Sequence, residues 1–512
     1  MEGESSSDWT QKEEAAKLHI EEIRTQKYSI GKDEANPLGK DLHRALMTNI
    51  SKDANFLREL ILNAEENEYE EGVLPEMKFV LTKEDITETG APATLLVFNN
   101  EVGFSRENMD SICGIGSGFK SVFLVSSQPY IFSNGYRVRF QEEPDQDCGI
   151  GYIVPQWVSG HPSISSIYDV YGLSNAYPAT TVILPLKPEM VEAVREQLSQ
   201  LCPEIILFLS KLKQLSVRDY DSEVADRVSS FLISSVTKNK EVSSRVVQLS
   251  KKNLDDTEEL CDYYLWEKEF PVKPENRFGV RMDVQSWVIT IAFPSGERMR
   301  NATSSVGIFA FLPTTMVTDF PFLIQADFIL NSSRDSILLE NVWNLGILNC
   351  IPSAFVNAFH SPDDPLLSDL TNSIAGRRCL KTSDWTDPFK TPEESILFDP
   401  AWESILDRTM LPTIDENFYG TDILVYKSQL RDIGVKVDPL SVCSLLYGIF
   451  SKLHGTYFEN TFIKSIYTFL NKFQWHPEEP DGTEIFIDTD DYDWVNPDHC
   501  VLHGDPNLRR NT

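Results

Sequence analysis

The chain has 512 residues, and 46 Lys and Arg against 78 Asp and Glu give a formal charge of −32. With 41% hydrophobic and 24% charged residues it sits in the globular range, which argues against disorder over its whole length. A pI near 4.6 argues against sequence-blind binding of DNA, RNA or anionic membrane, which are held mainly through Lys and Arg.

Met1 to Trp9 lacks the apolar core of a secretory signal. No uninterrupted apolar run reaches about 18 residues, so no membrane span is expected. Cys113, Cys148, Cys202, Cys261, Cys350, Cys379, Cys443 and Cys500 are scattered without a CxxC pair. They read as reduced thiols of the cytoplasm or nucleus.

Along the chain, residues 1–36 form a charged, helical lead-in closed by Asn36-Pro37. Residues 37–220 mix helix and strand. Within them Ala54 to Tyr69 (ANFLRELILNAEENEY) places Leu57, Leu60, Ile61 and Ala64 at i, i+3, i+4, i+7, one buried helix stripe. Glu59, Asn63 and Glu66 fall on the opposite face with Asn67 beside them, a pattern that a merely solvated face would also produce. Thr94 to Asn99 reads as a buried strand. It runs into Asn99-Asn100-Glu101-Val102-Gly103-Phe104, and the Gly-rich stretch Ser111 to Phe123 (SICGIGSGFKSVF) follows. Such loops suit phosphate because bare backbone N–H groups converge on the anion, although Gly114, Gly116 and Gly118 match neither a Walker A nor a Rossmann fingerprint.

Tyr130 to Phe140 predicts a hairpin, since Asn134-Gly135 can supply the two positive φ angles of a type I′ turn. Thr180 to Leu186 predicts another strand, and Glu204 to Leu215 an apolar helix or strand-helix joint. The Ser- and Lys-rich residues 221–255 read as a boundary or long loop. Strand patterns at Trp287 to Phe293 and Val306 to Leu312 place an α+β middle domain at 221–360. A Pro-, Asp- and Ser-rich linker is expected at 361–399. A mixed C-terminal region follows at 400–512, with helical patterns at Ser441 to Leu453 and Thr461 to Phe473. His499-Cys500-x-x-His503 and the Asp488–Asp493 cluster read as exposed sets and not as metal sites, for want of partner ligands or a turn Gly. The class expected is α+β.

The order carboxylate–amide helix, polar strand end, Gly loop with Lys, then Thr-Thr strand resembles the nucleotide-binding domain of the GHKL ATPases (gyrase B, histidine kinases, MutL and the ninety-kilodalton heat-shock chaperone). The plant NO VEIN and sacsin branch resembles it most, through ELILNAEENEY, FNNEVGF, GFKSVF, TTVILPL and the run Phe309 to Leu348. This resemblance implies an N-terminal Bergerat α/β sandwich that binds ATP with Mg²⁺. Glu59 matches the carboxylate that polarises the attacking water, and Asn63 the amide that holds Mg²⁺. Glu66, Asn67, Asn100, Gly103 and Phe119 fall within the matched boxes. Asn99 stands where the wider superfamily has its adenine-reading aspartate. Gly116, Gly118 and Lys120 match the end of the phosphate loop, Thr180 or Thr181 the hydroxyl behind the adenine, and Arg334 a cation for the terminal phosphate.

Two departures bear on activity. Asn99 and Glu101 replace the aspartate and glycine of the broad superfamily, and Ile112 to Ser117 runs almost directly into Gly118-Phe119-Lys120. The lid that encloses the triphosphate and excludes water is largely missing. Two readings stay open: a Mg-dependent, chaperone-like or regulatory ATPase acting on protein clients, and a catalytically inactive scaffold that keeps the fold. The charge of −32 weighs against nucleic-acid work, and the oligomeric state is not readable.

Overall fold

A computed structural model describes residues 6–30, 39–49, 55–115, 118–171, 179–220, 230–240, 244–294, 307–318, 320, 322–331, 333–358, 380–384, 389–408, 411–419, 421–452, 460–475, 485–486 and 494–495. Gly116 and the two C-terminal clusters named above lie outside them.

The strands are β1 (Glu76–Thr82), β2 (Thr94–Asn99), β3 (Tyr130–Ser133), β4 (Tyr136–Arg139), β5 (Gln156–Trp157), β6 (Thr180–Pro185), β7 (Gln214–Asp219), β8 (Phe231–Lys240), β9 (Ser244–Asn253), β10 (Glu258–Pro271), β11 (Ser286–Pro294), β12 (Ile308–Ala310), β13 (Leu312–Pro313) and β14 (Leu323–Gln325). They form one fourteen-stranded sheet in the order β13-β12-β14-β11-β10-β9-β8-β7-β1-β2-β6-β3-β4-β5. The sheet is mixed: β1 pairs β7 in parallel and β12 pairs β14 in parallel, while β1–β2, β2–β6 and β7–β8–β9–β10 are antiparallel. The helices that matter below are α1 (Ser6–Glu22), α2 (Gly39–Asn49), α3 (Phe56–Glu66), α4 (Arg106–Ile112) and α5 (Ile164–Tyr171). The class is α+β.

Register explains how the sheet serves two layers. Met77, Asn99 and Thr180 lie directly opposite one another across β1, β2 and β6. Because strand side chains alternate between faces, the row Phe98–Thr181 points the other way. There Leu96, Phe98, Phe132 and Ile183 pack with Ile167 and Val170 of α5. The hairpin takes the expected turn, with Asn134 at φ +44° and Gly135 at +86° between Ser133 and Tyr136. The lead-in helix α1 docks here: His19 Nδ1 meets the Tyr136 hydroxyl at 2.8 Å, and Arg137 pairs with Glu13 at 2.9 Å.

Two local expectations are corrected. Most of residues 221–255 is not loop: Phe231–Lys240 and Ser244–Asn253 are paired ten-residue strands, with Phe231, Ile233, Val247 and Leu249 buried. Consecutive polar residues, Ser234-Ser235 in one strand and Ser250-Lys251-Lys252 in the other, interrupt the apolar alternation that marks a strand. Glu204 to Leu215 holds no α-helix; a 3₁₀ turn (Pro203–Ile206) leads through an irregular stretch into β7. In that stretch the Glu65 carboxylate accepts the backbone N–H groups of Ser210, Lys211 and Leu212 at 2.6–3.1 Å, an alternative to helical bonding.

The chain divides into two compact units. The first is Met1–Ala292, Ser304–Thr318 and Ile324–Leu345; the second is Phe293–Thr303, Asp319–Leu323 and Gly346–Thr512. The second has its own core, in which Trp402 meets Phe398 and Phe469 edge-on and helices Pro439–Lys452 and Asn460–Lys472 contribute Val442, Leu446 and Ile466. Among the described residues no helix is long and apolar enough to cross a membrane.

Candidate functional site

Helix α3 starts where Asn55 accepts the N–H groups of Leu57 and Arg58 at 3.1 and 3.3 Å, a side-chain cap that satisfies two otherwise orphaned donors. Phe56, Leu57, Leu60, Ile61 and Ala64 are buried as the periodicity requires. At the far end Lys211 Nζ donates to the carbonyls of Glu66 and Asn67 at 3.2 and 2.7 Å, placing a cation at the negative end of the helix.

Between α3, the Met77–Asn99–Thr180 face of the sheet and α4 lies a cavity of about 470 Å³. Of the residues singled out in the sequence, Asn63, Glu66, Asn67, Asn99, Gly103, Phe119 and Thr180 line it. Leu60, Met77, Val97 and Val182 supply apolar wall, and Glu101 and Glu68 add carboxylates. Gly103 holds φ +92°, and a Cβ there would lie 2.7 Å from that of Asn134, so only glycine fits this turn.

Glu59, Asn100, Gly118, Lys120, Thr181 and Arg334 are not in the cavity wall. Asn100 is a clamp: its Oδ1 accepts Glu76 N–H at 2.8 Å and its Nδ2 donates to Leu74 O at 2.8 Å. Thr181 faces away from the cavity. Glu59, 9% exposed, sits beside Arg334, whose Nη1 lies 2.9 Å from Oε1. Its other oxygen abuts Gly118, where any Cβ would collide with it. Burial pushes the Glu59 carboxyl up, against the pull of Arg334 and then Arg58. Arg334 itself adopts φ +56°, a left-handed conformation that a non-glycine residue holds at some cost. Lys120 is 7% exposed and donates to Gly114 O at 2.5 Å; burial lowers its pKa to about 8.

The Asn99 end of the cavity is organised in part by residues that sequence reasoning did not assign, Tyr69, Ser133 and Glu101. Tyr69 donates to Ala64 O at 2.7 Å and accepts from Asn99 Nδ2 at 2.8 Å, tying the end of α3 to the end of β2. Asn99 also donates to Glu76 O at 3.2 Å, and its Oδ1 accepts Glu101 N–H at 3.1 Å. Phe104 N–H donates to Ser133 Oγ at 2.8 Å, and Ser133 Oγ meets Thr180 Oγ1 at 2.5 Å. Because the Thr180 hydroxyl donates its proton to the Glu101 carboxylate, Ser133 is the donor in its bond to Thr180. Desolvation raises the Glu101 carboxyl to about 7 against that hydrogen bond. Only the acid inside NNEVGF signals this residue in the sequence.

A Mg²⁺-nucleotide would meet fitting residues at one end of the cavity only. The cavity volume suits a heteroaromatic nucleoside, and Asn63 offers an amide oxygen near Glu66 and Asn67. Among the described residues no Lys, Arg or His lines the cavity, and no three His, Cys, Asp or Glu gather as a metal site.

The molecule is thus a mixed α+β protein with a half-polar cavity against its central sheet. No protein-family model matches the chain. In an alignment 352 positions long that covers 63% of the chain, it is 32% identical to Protein NO VEIN of Arabidopsis thaliana. It is NO VEIN-like across that stretch, and the match spans 12% of the length of that relative.

Proposed function

We propose that the chain is a nucleotide-binding protein of the NO VEIN and sacsin kind, with a GHKL-type site, working as a chaperone-like or regulatory module on protein partners. The observation that supports this is the convergence of Asn63, Asn67, Asn99, Gly103, Phe119 and Thr180, residues distant in sequence, on one cavity. In the proposed binding mode Asn63 holds Mg²⁺ and the base lies against Met77 and Thr180. Calorimetric titration of the full chain with Mg-ATP tests it: saturable binding at or below millimolar nucleotide is expected, and no heat or thermal shift at millimolar Mg-ATP overturns it.

A second reading, a catalytically inactive scaffold, is favoured by the position of Glu59. A general base has to reach the water it activates, whereas this carboxylate is buried, ion-paired to Arg334 and outside the cavity wall. ATP hydrolysis abolished by Glu59→Ala would remove the scaffold reading.

A further inference from the structure

The nucleotide reading leaves open which residue selects the base. Asn99, at the position where a selecting side chain is expected, has both N–H groups committed to Tyr69 and Glu76 and accepts Glu101 N–H on its oxygen. Glu101 is different. It is 5% exposed and lines the cavity, and its Oε1 has no hydrogen-bond partner among the described residues. An unpartnered buried carboxylate oxygen carries a desolvation cost that a ligand donor would relieve. The relay from Phe104 N–H through Ser133 and Thr180 ends on this carboxyl and fixes its orientation. Met77, Val97 and Val182 beside it form an apolar wall suited to a flat ring.

We infer that Glu101, and not Asn99, reads the ligand: its free Oε1 accepts an N–H from an aminated heteroaromatic ring, an aminopurine being the class that fits. This rests on the nucleotide reading of the same cavity and adds a selecting residue and a pH dependence to it.

The acceptor is strongest when ionised, and desolvation holds Glu101 near 7. The other titratable groups near it are few. Glu66 and Glu68 stand on the cavity rim, and Tyr69 behind Asn99 is pushed up to about 12 by burial. From α4, Asn108 and Ser111 face the cavity, from β6 only Thr180 and Val182, and from the 3₁₀ helix at 118–124 only Phe119. Among the described residues no cation lines the cavity to hold the carboxylate ionised, so its protonation governs the site. Binding of an N–H donor selects the ionised form. Affinity therefore falls as pH drops through about 7, by roughly tenfold at one unit below the pKa, where about a tenth of the sites are ionised.

The test compares adenosine with purine riboside, which lacks the exocyclic amino group; neither titrates between pH about 6 and about 8. Affinities are measured calorimetrically on the full chain at both pH values. Expected is tighter adenosine binding at the higher pH, a loss of about tenfold at the lower, and no such loss for purine riboside. Glu101→Gln should flatten the adenosine profile. Thr180→Val, which removes the donor favouring the ionised form, should move its midpoint upward, and this keeps the inference testable if the Gln variant does not fold. Mg-ATP binding together with nucleoside affinities indifferent to pH and to both substitutions would overturn this inference alone. Absence of binding by Mg-ATP and both nucleosides would overturn it along with the nucleotide reading.

Discussion

At the scale of single residues, the pair Glu59–Arg334 decides what the candidate base can do. The folded-state carboxyl of Glu59 lies above its ordinary value because burial outweighs Arg334 and Arg58. A raised carboxyl favours the fold when protonated, so Glu59 costs stability as pH rises through that window. Arg334→Ala removes the larger of the two opposing attractions and moves the carboxyl further up. We expect a deficit of about 1 kcal/mol at neutral pH, small because Arg334 is half-exposed, that shrinks in acid as Glu59 protonates. Denaturant midpoints at pH about 7 and about 4.5 measure it; equal deficits at both would show that the pair is not the cause. Glu59→Gln removes the buried charge and should match the parent within about 0.5 kcal/mol. None of this was legible in the helical periodicity, which put Glu59 opposite Leu57 and Ile61. A neighbouring segment covers that face too, and a one-helix pattern carries no trace of its neighbours.

Among the elements, α3 was the most readable. Its apolar stripe follows from spacing, a local property of the helix, while its ends at Phe56 and Glu66, the first set by the capping Asn55, fall inside the wider span Ala54 to Tyr69 read from the sequence. β2 and the 130–140 hairpin were readable for the same reason, through an apolar run and an Asn-Gly turn. The paired strands β8 and β9 were not, since polar runs such as Ser234-Ser235 and Ser250-Lys251-Lys252 break the apolar alternation that would signal them. Nor was the difference between two adjacent acids at the end of α3. Glu65 accepts three backbone N–H groups of residues 210–212, and Glu66 is exposed at the cavity rim. Charge-assisted bonds to backbone donors are the stronger class. Glu65→Ala should therefore lower stability by about 2 kcal/mol, and Glu66→Ala by no more than about 0.5 kcal/mol. Urea unfolding of the two variants side by side checks this, and comparable losses would refute the assignment of Glu65 as the anchor of the 207–213 stretch.

Across the whole molecule, charge sets the conditions for an anionic ligand. The chain carries −32, and the cavity shows Glu66, Glu68 and Glu101 with no Lys, Arg or His among the described lining residues. Lys120 and Arg334, the cations the sequence offered for phosphate, bond instead to Gly114 O and Glu59. A triphosphate entering such a field is repelled unless Mg²⁺ offsets its charge. In the nucleotide reading, removing Mg²⁺ with a chelator should weaken ATP by tenfold or more and leave adenosine unchanged. Raising salt from about 50 to about 200 mM should then strengthen the Mg-free ATP that remains, because shortening the Debye length screens repulsion. A site whose cations met the phosphates would behave oppositely, with salt weakening ATP at every Mg²⁺ concentration. Calorimetric titrations with ATP and adenosine, with and without Mg²⁺ and at both salt levels, separate the two cases by the sign of the salt effect. A fall in Mg-free ATP affinity with salt would place Lys120 or Arg334 on the phosphates after all, and would return Glu59 to a position from which it could act as a base.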